Sequence, residues 1–217
     1  MSGPLKYYFL NFLKISGQLK NYGWILAAFL LILTVMPAYG QEEYRQFYSE
    51  SLKTTNSGMY VLGGWAITNI ASGAYGWHRY DGDIKYFHQM NLFWNTVNLS
   101  IAGFAIYSNL MTDISAMGQD EMMKKHLDTE KILLINAGLD LGYIGAGLFM
   151  RHLSGRSDKN SDLLKGYGNS IILQGGFLFI FDIVLYGILR NLRHEFIENL
   201  SISLSPGGAA VRLAIPI

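Results

Sequence analysis

Three asparagines interrupt an otherwise apolar and aromatic stretch between Phe87 and Phe104. Asn91, Asn95 and Asn98 are spaced by four and three residues, and His88 precedes the first by three. In a helix, these spacings place all four side chains on one face. Because a buried amide without a hydrogen-bond partner is costly, such a helix must pack against other polar groups. The stretch therefore predicts one member of a helical bundle whose helices present matching polar faces to each other.

Three further apolar stretches have a comparable length and carry such polar groups. The four stretches are 57–77, 87–110, 132–150 and 168–189. Each has the roughly twenty residues that a helix needs to cross a bilayer. The polar groups on the other three are Asn69, Asn136, Asp140, Tyr143, Gln174 and Asp182. The sequence therefore predicts an all-α integral membrane protein, a four-helix antiparallel bundle with a polar core over 57–199.

Composition agrees with this fold class. Only 15% of the 217 residues are charged and 50% are apolar, whereas about a quarter of a soluble domain is charged. The net charge of +1 gives no electrostatic reason to expect nucleic acid as a partner. The absence of cysteine excludes disulfides and thiolate chemistry. Membrane lipid is the expected partner, and a protein partner or a homo-oligomer is left open.

Both ends of the chain differ from the bundle. Lysines precede an apolar run over 24–36, and Ala38 and Gly40 follow it, which is the pattern of a signal peptide over 1–40. An uncleaved signal-anchor helix is the alternative. A polar lead-in over 41–56 follows. The tail, 200–217, alternates in polarity around Pro206, Gly207 and Gly208, and this pattern predicts a short β-hairpin.

The distribution of charged residues predicts an orientation. If 41–56 lies outside the cytoplasm, the basic loops 78–86 and 151–165 lie inside and the acid-rich segment 111–131 lies outside. Arg190 and Arg193 are exceptions to the rule. The sequence thus predicts a multi-pass inner-membrane protein, with both termini periplasmic after cleavage of the signal peptide.

The residues permit three functions. The first is a non-enzymatic envelope protein that serves a structural or partner-binding role or binds a small lipid-like ligand. The second is a conduit for ions or small solutes through Asp140 and Asp182, since acidic residues inside a membrane commonly mark function. The third is a membrane enzyme that uses His88 with one of these acids. No nucleotide-binding, hydrolase or metal-ligand motif is present, so no metal is expected and any cofactor is unknown.

Several segments resemble an uncharacterised family of small helical membrane proteins of Bacteroidota, defined as a domain of unknown function. The segments are Gly64-Trp65-Ala66, Phe87–Asn91, Trp94–Asn98, Asn136–Tyr143 and Gln174–Phe177 with Asp182. This resemblance implies a helical membrane bundle in a Gram-negative cell envelope. It implies no activity and assigns no catalytic residue.

Overall fold

The structure, a computed structural model, describes residues 4–157 and 159–203, with side chains for 40–157 and 159–201. By internal contacts the chain divides into two units, Met1–Tyr44 and Arg45–Ile217. The four long helices are α1 (Pro4–Arg79), α2 (Gly82–Leu110), α3 (Gln119–Ser154) and α4 (Ser161–Ser203). A 3-10 helix, Ile114–Ala116, lies between α2 and α3. The prediction of an all-α fold with four helices is confirmed.

The helices are longer and the loops shorter than the sequence predicts. Only two residues separate α1 from α2, and Gly82 adopts a positive φ of 60° there, a conformation that favours glycine. The predicted loop over 151–165 shrinks because α3 continues to Ser154 and α4 begins at Ser161. Charged residues suit these helix ends, since Arg151 and His152 lie in the last turn of α3, where cations interact favourably with the helix dipole.

The structure bears on both predicted ends of the chain. The lead-in over 41–56, for which the sequence permits a short helix or a loop, is helical and belongs to α1, which runs without a break through the predicted cleavage point after Gly40. The signal peptide stays a prediction. At the other end, α4 continues to Ser203, so residues 200–203 are helical rather than the start of a hairpin. The rest of the predicted hairpin, 204–217, lies outside the described residues.

Residues 45–203 form an up-and-down arrangement of helices. Helix α4 packs against both α2 and α3. It runs antiparallel to α3, because Gly147 meets Gly168 while Glu130 meets Arg193. An ion pair of 2.9 Å between Lys165 and Asp83 joins the first turns of α4 and α2. The hydrogen bond from the Lys165 ammonium lowers the pKa of the Asp83 carboxyl.

Small residues allow close approach between these helices. A Cβ atom at Gly147 would lie 2.7 Å from the backbone oxygen of Gly168 on α4, and one at Gly175 would lie 3.0 Å from the backbone oxygen of Asp140. On α1, a Cβ atom at Gly73 would lie 2.8 Å from the backbone oxygen of His88. Close backbone contact at small residues is typical of helix packing in membranes.

Among the described residues, two helices are long and apolar enough to cross a membrane. They are Gln119–Ser154 and the part of α4 that spans Ser161–Ser201. On α2, by contrast, four of the residues turned inward are Asn91, Asn95, Asn98 and Ala102. The hydropathy of α2 is therefore lowered by side chains that face the interior of the bundle.

Candidate functional site

A network of amide side chains joins α1, α2 and α4 in the interior. Gln174 lies at its centre with no exposed surface. Its Oε1 accepts a hydrogen bond of 2.9 Å from the indole of Trp65, and its Nε2 donates to Asn91 Oδ1 at 3.0 Å and to Asn69 Oδ1 at 3.4 Å. The Ser170 hydroxyl donates to the same Asn91 oxygen at 2.6 Å. One glutamine therefore connects three helices.

The remaining asparagines of α2 extend this network along the helix. Asn95 donates to the backbone oxygen of Asn91 at 2.8 Å, and Asn98 donates to Asn95 Oδ1 at 3.4 Å. All three are buried. Because the amides bond to each other and to backbone, the network needs no ligand to satisfy it. Its arrangement matches interhelical hydrogen bonding that holds the bundle together.

A second polar feature, the carboxyl pair, consists of Asp140 on α3 and Asp182 on α4. These side chains are 3% and 5% exposed, and a side-chain hydrogen bond joins them. A carboxylate only accepts hydrogen bonds, so this contact requires a proton on one of the two groups. Asp140 Oδ2 is buried and has no hydrogen-bond partner. Unlike the amide network, the carboxyl pair is incompletely satisfied.

The carboxyl pair lies in the wall of a cavity of about 590 Å³ between α2 and α3, which α1 and α4 close from behind. This volume falls in the range of roughly 300–1,000 Å³ that small-molecule sites occupy. The other lining residues are Thr55, Met59, Leu62, Trp94, Val97, Asn98, Ile101, Ala105, Asn109, Thr129, Ile132, Leu133, Asn136, Leu139, Tyr143, Leu178, Phe181 and Leu185. Most of the lining is apolar, and within the described part of the chain no Lys, Arg or His belongs to it.

Aromatic rings mark one end of the cavity. Trp94 and Tyr143 meet edge to face with ring centroids 4.9 Å apart, and no lining residue precedes Trp94 on α2 or follows Tyr143 on α3. From Thr129 to Tyr143 the cavity follows α3 for roughly 20 Å, at 1.5 Å per residue. Asn136 and Tyr143 flank Asp140 on the same helix and are exposed.

The structure therefore separates the residues that the sequence groups together. The amide network contains Asn69, Asn91, Asn95 and Gln174. The cavity is lined by Asp140, Asp182, Asn136 and Tyr143, and Asn98 belongs to both features. His88 belongs to neither. Its ring packs against Gly76 and stacks on Tyr80 with centroids 5.5 Å apart. Because it precedes Asn98 by ten residues, it lies roughly 15 Å along α2 from that part of the cavity, so the structure does not bring it to the acids.

A third polar cluster, which is not predicted from the sequence, consists of Ser51, His126, Glu130 and Arg193 and is called the His126 cluster. The Ser51 hydroxyl lies 2.7 Å from His126 Nδ1, and His126 Nε2 lies 3.0 Å from Glu130 Oε1. Arg193 donates to both oxygens of Glu130, at 2.9 and 3.1 Å. Phe47 and Phe196 stack beside the histidine, with Phe47 4.7 Å from its ring. The cluster thus ties α1, α3 and α4 together.

Two signals in the sequence point to this cluster. His126 and Glu130 are four residues apart and share a helix face, although the surrounding charges indicate a solvated surface helix. Arg193 is also one of the two residues that violate the predicted distribution of basic loops. Its bond to Glu130 explains the exception, because the arginine is held by a buried carboxylate within the bundle.

Comparison with known proteins bears on the part of the chain that carries the amide network and the carboxyl pair. Residues 61–183 match the model of a family of unknown function (DUF6992), and this segment is more than half of the chain. Ser51 and Arg193 of the His126 cluster lie outside it. No curated protein and no solved structure was found to match. The chain therefore belongs to the family of unknown function DUF6992.

Proposed function

We propose that this protein is a non-enzymatic, multi-pass inner-membrane protein that binds a small amphipathic molecule in the cavity between α2 and α3. The observation that carries the proposal is the cavity itself. It is largely apolar, has the volume of a small-molecule site, and holds in its wall a buried carboxyl pair with one oxygen that lacks a hydrogen-bond partner. Apolar walls with few polar groups are characteristic of ligand sites.

The distribution of polarity supports the membrane part of the proposal. Large apolar side chains are exposed on all four helices, among them Val61 on α1, Phe104 on α2, Phe149 on α3 and Ile180 on α4. The interior holds amides, carboxyls and an arginine–glutamate pair. Exposed apolar surface of this extent indicates contact with a membrane or another protein. The positions of the basic loops, 78–86 and 151–165, support the proposed orientation with both termini periplasmic.

The closed end of the cavity favours binding over conduction. A conduit through Asp140 and Asp182 needs a polar path on both sides of the acids. Trp94 and Tyr143 close one end, and the buried amides beyond them are bonded to each other. The cavity is thus a blind pocket, as expected for a protein that holds a molecule.

The test is native mass spectrometry of protein extracted gently from its own membranes. We expect a bound small molecule with the wild-type chain. Ala105→Phe, which places a ring in the cavity, should reduce the bound fraction at least about tenfold, since filling a pocket excludes its ligand. Ala146→Phe, an exposed position on α3 outside the cavity lining, is the matched control and should retain the molecule.

A wild-type chain that carries no small molecule would count against the proposal. So would a bound molecule whose occupancy is the same in Ala105→Phe and Ala146→Phe, because that molecule would lie elsewhere on the protein.

A further inference from the structure

The carboxyl pair has no basic partner in the wall of the cavity. A side-chain hydrogen bond joins Asp140 and Asp182, so at least one of the two carboxyls is protonated. The other carboxyl is buried as well, and when it is ionised its negative charge needs a partner. Among the residues that the structure describes, no Lys, Arg or His lines the cavity to balance that charge. A buried charge without a partner is costly, so the site favours a ligand that brings the opposite charge.

The unpartnered oxygen adds a directional requirement. Asp140 is 3% exposed, it lines the cavity, and its Oδ2 has no hydrogen-bond partner. Buried polar atoms are nearly always hydrogen-bonded, so this oxygen requires a donor. The cavity gives a ligand access to the Asp140 carboxyl, so a ligand with an N–H or O–H group can supply this donor.

The surroundings of Asp140 suit an ammonium group. Asn136 and Tyr143 lie one turn on either side of Asp140 and offer an amide oxygen and a hydroxyl oxygen. An ammonium has three N–H donors and no acceptor, so it can use acceptor oxygens of this kind. Tyr143 and Trp94 also bring two aromatic rings to this end of the cavity, and aromatic faces attract cations.

The rest of the cavity suits an alkyl chain. From Asp140 toward Thr129 most of the lining side chains are apolar, including Leu133 on α3, Leu62 on α1 and Leu185 on α4. A metal ion would not use this length of apolar wall. Among the described residues, no group of three or more His, Asp or Glu side chains that could hold a metal is present.

We propose that the cavity binds an alkylammonium ion, whose head group donates to Asp140 at the carboxyl pair and whose chain lies along the apolar walls. This inference rests on the proposed function, because it names the chemical class of the ligand that the same cavity takes. A neutral alcohol and a carboxylate of equal length are the competing classes.

The experiment compares n-decylammonium, n-decanol and n-decanoate with the protein in nanodiscs of phosphatidylcholine. Isothermal titration calorimetry against empty nanodiscs isolates binding to the protein from partition into lipid. We expect saturable binding of one n-decylammonium per chain, at least about tenfold tighter than n-decanol, since a hydrogen bond to a charged group is worth about 1.5–3 kcal/mol. n-Decanoate should be the weakest ligand.

Two variants separate the head-group claim from the cavity claim. The double variant Asp140→Asn with Asp182→Asn is close to isosteric and removes both carboxyls, so it should abolish the preference for n-decylammonium over n-decanol while n-decanol binding persists. Ala105→Phe should weaken both. Since the comparison of the three probes uses the wild-type chain, it stands even if a variant fails to fold.

The outcomes are distinguishable. If n-decanol or n-decanoate binds as tightly as n-decylammonium, or if the double variant keeps the preference, the cationic ligand is wrong and the cavity proposal stands. If none of the three probes saturates and Ala105→Phe equals Ala146→Phe, both proposals are overturned.

Discussion

Gln174 is a single side chain on which contacts between three helices depend. It is fully buried and bonds Trp65 and Asn69 on α1 and Asn91 on α2. Removing its amide leaves the Trp65 indole N–H and the Asn69 oxygen without these partners. Buried polar atoms that lose their partner destabilise a fold more than the lost bond alone would.

We predict that Gln174→Leu lowers the free energy of unfolding by about 2 kcal/mol, because individual interhelical bonds in membranes contribute about 0.6–1.7 kcal/mol and several are lost together. Unfolding in SDS, followed by tryptophan fluorescence, to which Trp65 contributes where it stacks on Phe177 at 3.9 Å, measures the change. Thr96→Val is the control, since the exposed Thr96 hydroxyl bonds only its own helix. Equal stability of the two variants would refute the role of the network.

Glu130 tests how much a buried charge contributes to the stability of the fold. Glu130→Gln leaves Arg193, with 21% of its side chain exposed, without its carboxylate. We expect a loss of about 3 kcal/mol in the free energy of unfolding, the lower end of the range for breaking a buried ion pair. The additional change Arg193→Met should restore part of the loss, since it removes the uncompensated charge.

The control for Glu130 is an ion pair on the same helix. Lys125 and Glu121 are four residues apart, 3.4 Å from each other, and about half exposed. Glu121→Gln should change stability by less than about 0.5 kcal/mol, as surface pairs contribute little. A similar effect of the two substitutions would mean that Glu130 is better solvated than its 5% exposure indicates.

At the scale of the elements, the contact between α3 and α4 depends on glycine. Gly147→Ala would place a methyl group 2.7 Å from the Gly168 backbone oxygen and 2.8 Å from Ile172. We predict a loss of about 1–3 kcal/mol, because the two backbones must separate. Gly142→Ala, on the same helix with no atom within 4 Å of the new Cβ, should be neutral or stabilising by up to about 1 kcal/mol. The same unfolding assay compares them, and the reverse order would contradict the packing.

The helices themselves could be predicted from the spacing of apolar and polar residues, while their ends could not. Asp83 falls in the predicted loop 78–86, because charged residues usually mark loops. In the structure it lies in the first turn of α2, where a helix N-terminus favours acidic side chains. Lys165, also assigned to a loop, lies in α4 and pairs with Asp83. Charges at these positions extend the helices instead of ending them.

The sequence does not predict that the polar residues divide between the amide network and the carboxyl pair. Spacing places Asn136, Asp140 and Tyr143 on one face of α3 and Asn91, Asn95 and Asn98 on one face of α2. It does not show that Gln174 reaches α2 while Asp182 reaches α3. That choice depends on the rotation of α4, which the contacts of Gly168 and Gly175 with α3 fix.

At the scale of the whole molecule, the absence of cysteine makes the proposed topology testable. A single introduced thiol is then the only reactive one. The substitution Ala116→Cys places this thiol in the exposed connection before α3, and Arg156→Cys places it in the connection after α3. If α3 crosses the membrane with the basic loop inside, an impermeant maleimide added to intact cells should label Ala116→Cys and not Arg156→Cys.

Lysed cells give the control, because both thiols should then react. Labelling of both variants in intact cells, or release of the protein from membranes by alkaline carbonate, would contradict the transmembrane assignment. Labelling of Arg156→Cys alone would retain the span and reverse the proposed orientation.

The position of the cavity between α2 and α3 has a consequence for how a ligand arrives. Val97 and Ile101 on α2 and Ile132 and Leu139 on α3 line the cavity and are each more than half exposed, so its mouth opens sideways, through the apolar surface of the bundle. In the proposed orientation that surface faces lipid tails. The bilayer then acts as the reservoir, and a molecule enters laterally without passing through water. Apparent affinity should therefore depend on the ligand's mole fraction in the lipid, so that diluting the protein at constant lipid composition leaves occupancy unchanged.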